Sequence, residues 1–103
     1  MKTILCNAFS INMINDRADV TFVNVDEPTQ FLVKGFESAV GHADTARVFS
    51  EVLGLEVLAN RINVVLDDET RLVVGQYKGP RLEEGATSLP EGAVIEWWLV
   101  YKT

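Results

Sequence analysis

The chain has 103 residues, with nine Lys and Arg against fifteen Asp and Glu, a formal net charge of -6 and a hydrophobic fraction of 48%. That length suits one domain, residues 1–103, whose core does not depend on disulfides or metals, and the hydrophobic fraction excludes a disordered chain. The acidic balance excludes a broad basic face for long DNA or RNA, but not a small pocket holding a few cations.

Residues 2–8 read as a short buried strand. Cys6 is the only cysteine, so neither an intramolecular disulfide nor a thiolate zinc cluster is available, which suits a reducing cytosol. Asn7 interrupts the first apolar run, which is too short for a signal peptide. No run approaches the ~18–20 apolar residues of a membrane span. The expectation is a soluble cytoplasmic protein with no membrane partner. Asn7, Ser10, Asn12 and Asn15 crowd a polar loop. Val20 to Val25 reads as a strand. Asp26-Glu27-Pro28 looks like a helix start, with Asp26 as cap and Pro28 in the first turn, and Gly35 keeps that helix short. Phe36 to Val40 reads as another strand.

Gly41-His42-Ala43-Asp44-Thr45-Ala46 opens the clearest helix, over residues 43–53. Ala46, Val48, Phe49, Val52 and Leu53 repeat at helical spacing, and Gly54 stands where a helix ends. Arg61 to Leu66 alternates around Ile62, Val64 and Leu66 and predicts a strand. Asp67-Asp68-Glu69-Thr70 reads as a solvated acidic turn rather than a Mg²⁺ site. Arg71 to Tyr77 then returns as a second strand, making a hairpin with the first. Residues 78–93 hold three of the seven glycines and two of the three prolines, more than a simple turn needs. Val94 to Tyr101 is the last strand, with Trp97 and Trp98 on opposite faces. The sum is an α/β or α+β domain with a mixed sheet flanked by helices.

The sequence has neither GxGxxG nor GxxxxGK[ST], so dinucleotide and P-loop readings lack support. One histidine and one cysteine argue against a zinc or iron site. His42, the only imidazole, stands just before a helix and is either a proton donor or part of a cap. Arg81 and Glu84 lie on the Gly-rich loop. Arg supplies planar donors to phosphate and Glu an acceptor or base, unless the two merely form a surface salt bridge. Arg61 has the same two readings. Asn7, Ser10 and Asn12 either line a pocket or satisfy their own loop.

Four ordered blocks carry a resemblance: Asn7-Ala8-Phe9-Ser10-Ile11-Asn12-Met13, Gly41-His42-Ala43-Asp44-Thr45-Ala46, Asn60-Arg61, and Gln76-Tyr77-Lys78-Gly79-Pro80-Arg81-Leu82. Over nearly its whole length the chain resembles the viral type III anti-CRISPR ring nuclease family, found in archaeal viruses, phages and mobile elements. The resemblance implies an enzyme that binds cyclic tetra-adenylate and cuts it to linear di-adenylate, silencing type III CRISPR signalling in the host cytoplasm. It implies no metal and no cofactor. It implies His42 as the acid, Arg81 and Glu84 as its catalytic companions, and Asn7, Ser10, Asn12, Arg61 and Gln76 as ligand contacts. It also implies a homodimer whose axis matches that of the ring. Two other readings remain open. A sponge would bind the ring without cutting it, and a protein-interaction module would not bind it at all.

Overall fold

The apolar runs around Ile4, Val73 and Trp97 form the middle of one sheet. A computed structural model describes residues 1–103. Strands β1 (Lys2–Cys6), β2 (Val20–Asn24), β3 (Glu37–Ser38), β4 (Thr70–Lys78) and β5 (Val94–Lys102) make a five-stranded sheet in the order β2-β5-β4-β1-β3. β1 runs parallel to β3 and β4, whereas β5 runs antiparallel to β4 and β2. This is the expected mixed sheet of an α+β domain.

One helix, α1 (Ala43–Leu53), packs on the first face of the sheet. Its apolar stripe buries Ala46, Val48, Phe49 and Leu53, while Val52 turns outward. Gly54 caps it, donating its N–H to the Ser50 carbonyl at 2.9 Å. The core on this side joins Leu5, Leu32, Val40, Phe49, Val73 and Trp97. The second face buries Ile4, Cys6, Val64, Leu66, Val74 and Val100, with Phe9, Met13 and Trp98 packed beside them. Trp97 and Trp98 therefore do lie on opposite faces. No helix is long and apolar enough to cross a membrane.

The structure corrects four expectations. Residues 61–66 are not a strand, and the expected hairpin with 71–77 does not form. Both edges of β4 are already taken, by β1 and β5, so the true hairpin is β4–β5, closed by residues 79–93. The alternation in 61–66 is real, but it lays Val64 and Leu66 across the second face as a cover, held by Leu66 N–H to the Met13 carbonyl at 2.8 Å. The sheet is flanked by a single α-helix rather than by several. The segment after Asp26 is a single 3₁₀ turn, Pro28–Phe31, with Pro28 at its start and no side-chain cap. The strand expected over 36–40 shortens to Glu37–Ser38, extended by one bond from Ala39 N–H to the Leu5 carbonyl at 2.8 Å. The acidic turn is solvent-facing. Hydrogen bonds from the Thr70 side chain and the Glu69 backbone N–H hold the Asp67 carboxyl below the usual carboxylate range.

Cys6 is 1% exposed, and burial pushes its thiol up to about 12. Native protein at pH 8 is therefore expected to resist a thiol-reactive disulfide reagent, with one equivalent reacting after addition of guanidinium. Full reaction of the folded protein within minutes would show that the second face opens readily.

Candidate functional site

His42 holds the residue position before α1 in an extended conformation, φ -123° and ψ 134°, and its carbonyl accepts the Ala46 N–H at 3.0 Å. Its side chain makes no capping hydrogen bond and is exposed. The imidazole thus stands free beside the positive end of the helix dipole. Arg61 reaches the same place. Asn60 anchors the chain there, donating its backbone N–H to the Val40 carbonyl at 2.8 Å and its side-chain amide to the Ser38 carbonyl at 2.7 Å. Arg61 then lies over Gly41, its Nε 3.6 Å from where a β-carbon on that glycine would stand.

The 79–93 loop meets the same turn of α1. Gly85 donates its N–H to Asp44 Oδ1 at 3.1 Å, and Arg47 Nε donates to the Ala86 carbonyl at 3.3 Å. Arg47 and Asp44 also form an ion pair one helical turn apart. Glu84 directly precedes the anchored Gly85. Arg81 and Glu84 are both exposed and line one open cleft of about 460 Å³, with Glu83, Thr87 and Ser88. At the base of the loop the Tyr77 hydroxyl donates to the Pro80 carbonyl.

Asn7, just past the end of β1, and Gln76, on the neighbouring β4, share a second cavity of about 480 Å³. Its walls are Phe9, Phe22, Val74, Tyr77, Trp98 and Val100. Two carboxamides among apolar and aromatic walls are a lining that suits a planar heteroaromatic ring. Neither His42, Arg61 nor Arg81 lines this cavity.

The family model described as STIV B116-like matches residues 3–96. The chain belongs to that family. Its fold agrees with B116 of Sulfolobus turreted icosahedral virus at a TM-score of 0.81, with 24% identity, over 98% of this chain and 99% of that one. A second relative is a protein of Sulfolobus islandicus filamentous virus (isolate Iceland/Hveragerdi) named only as uncharacterized protein 26. It is 44% identical over 50 residues, which span 48% of this chain and 42% of the relative. The family is one of small proteins of archaeal viruses.

In this B116-like chain five of the sequence-predicted residues lie at one end of the sheet, but on two faces: Asn7 and Gln76 on the second, and His42, Arg81 and Glu84 on the side of α1. Asn7 follows β1, His42 follows β3, Gln76 lies near the end of β4, and Arg81 and Glu84 follow β4. That end is the carboxyl end of the parallel strands, where open α/β sheets usually hold ligands. Ser10 and Asn12 stand apart on the 3₁₀ turn Ile11–Met13, where the Ser10 hydroxyl accepts the Asn12 N–H at 3.3 Å. Ser10 thus satisfies its own loop. Sequence reasoning passed over Asp44 and Arg47, whose signal was only an acid in a first helical turn and a base three residues on. It also passed over Phe9 and Phe22 as cavity walls.

Proposed function

We propose that this chain is a metal-independent ring nuclease that opens cyclic tetra-adenylate to linear di-adenylate. The observation that carries the reading is the convergence at the start of α1. The only imidazole of the chain stands there free of capping, Arg61 lies over the adjacent Gly41, and the loop that carries Arg81 and Glu84 is tied at Gly85 to the first turn of α1.

In the reaction a ribose 2′-oxygen attacks the adjacent phosphorus in line. The bond from phosphorus to the 5′-oxygen breaks and a 2′,3′-cyclic phosphate forms. The 2′-hydroxyl proton passes to an acceptor, for which Glu84 is placed, or Glu84 orients that hydroxyl towards phosphorus. The departing 5′-alkoxide takes a proton from His42. Arg61 and Arg81 offset the charge that builds on the phosphoryl oxygens. Two such cuts turn the ring into two di-adenylates.

The slot between Asn7 and Gln76 suits an adenine, with Trp98 and Phe22 as apolar walls and the amides on the base edge. A second copy of the chain related by a two-fold axis gives the ring a second His42, Arg61 and Arg81. The acidic exterior then disfavours long RNA while a small cationic site admits the ring. The place of action is the host cytoplasm, where the reaction would silence type III CRISPR signalling.

Incubation with cyclic tetra-adenylate in EDTA, followed by chromatography and mass spectrometry, tests the reading. The expected product is di-adenylate ending in a cyclic phosphate, and light scattering is expected to give a dimer. A bound but intact ring after long incubation points to a sponge, and no binding in calorimetry removes the ligand altogether. Activity abolished by EDTA and restored by a divalent metal would overturn the metal-independent mechanism.

A further inference from the structure

The 79–93 loop has no regular structure, yet beyond its base it is fastened to α1. Most of its length is exposed, although Ala93 at its end is buried, and its internal backbone bonds are only two, from Ala86 N–H to Glu83 and from Ala93 N–H to Pro90. Loops of this length without regular structure open easily unless something holds them. The hold is a two-point grip on consecutive residues. Asp44 takes the Gly85 N–H and Arg47 gives to the Ala86 carbonyl, at sequence separations of 41 and 39.

An acid and a base three residues apart on a helix are usually an ordinary surface pair of little consequence. Here the same Asp44 oxygen serves both Arg47 and Gly85. The ion pair presents one acceptor and one donor to a single peptide stretch. A charged acceptor strengthens the bond to Gly85. Gly85 has φ +83°, and a β-carbon there would meet nothing within 4 Å. It is a glycine for conformation rather than for space, since a left-handed φ is one that other residues rarely adopt. His42, not Asp44, holds the cap position, so the Asp44 carboxylate is free for the loop.

We infer that Asp44, braced by Arg47, is a positioning residue that straps the 79–93 loop to α1 and so sets where Arg81 and Glu84 stand. The strap is a property of the fold. Its catalytic consequence rests on the ring-opening reading above.

Hydrogen exchange on the full-length, unliganded protein tests the strap without any substrate. Asp44→Ala is expected to speed exchange of the Gly85 amide about tenfold or more, with amides of β1, β4 and the end of α1 unchanged. Asp44→Asn, which keeps a carbonyl acceptor, is expected to restore part of the protection. Arg47→Ala loosens Ala86 while leaving the acid at the helix start, and serves if Asp44→Ala folds poorly. Unchanged Gly85 exchange in both alanine variants would overturn the strap.

Turnover of cyclic tetra-adenylate tests the consequence. A loosened loop is expected to lower kcat about 10–100-fold with KM nearly constant, because misplacement costs reaction geometry more than binding. Faster exchange with unchanged kcat would overturn the positioning role. An inactive wild-type protein would instead overturn the ring-opening reading, and the exchange result alone would then decide the strap.

Discussion

His42→Ala is expected to slow opening of cyclic tetra-adenylate by about 10²–10⁴-fold, the usual worth of a positioned general acid, while the dissociation constant changes little. In the proposed reaction the leaving group is an alkoxide, which departs poorly without a proton, so loss of the acid is expected to have the largest single effect on the rate. The imidazole is exposed and makes no capping bond, so its loss removes no packing and no cap. Stability is expected to move by no more than about 0.5 kcal/mol, as for other surface substitutions. Single-turnover assays with protein in excess separate the chemical step from binding. Cleavage at the wild-type rate would remove His42 from the mechanism. Lost binding with normal folding would make it a ligand contact instead.

The parts of this molecule that could be read from residues alone are those governed by local periodicity. Helix α1 was legible because Ala46, Phe49 and Leu53 recur at one face and Gly54 ends it. The runs around Ile4, Val73 and Trp97 were legible as strands. What local pattern does not encode is which sheet edge is vacant. Residues 61–66 have the alternation of a strand, but β4 takes β1 and β5 as partners, and the segment becomes a cover. The site divides in the same way. His42 stood out because it is a lone imidazole before a helix. The approach of Arg61 to Gly41 depends on Asn60 bonding to Ser38 and Val40, a contact between distant segments. The strap on Gly85 was illegible for the same reason, and Ser10 shows that a polar residue in a suggestive block can serve only its own turn.

The seat of α1 on the sheet depends on one missing side chain. A β-carbon on Gly75 would lie 2.5 Å from Trp97 Cζ3, 2.8 Å from Phe49 Cζ and 2.9 Å from Trp97 Cη2. The two rings meet above that glycine with centroids 5.0 Å apart and planes tilted by 57°. Gly75→Ala is therefore expected to destabilise the fold by about 1–3 kcal/mol through overpacking. Phe49 is fully buried, and Phe49→Ala is expected to cost about 3–5 kcal/mol through lost contacts and a cavity. For a domain of this size each kcal/mol lowers Tm by roughly 4–8 °C, so either change is visible in a thermal melt. The two substitutions are also expected to couple. With Phe49 truncated, one of the two rings that oppose the new methyl is gone, and Gly75→Ala costs less by about 0.5–3 kcal/mol than in the wild type. Urea titrations of the four proteins close that cycle. Equal costs of Gly75→Ala in both backgrounds would mean that Phe49 does not press on β4 there. The helix that carries His42 and Asp44 would then owe its placement to Leu32, Val40 and Leu53 rather than to the ring pair over Gly75.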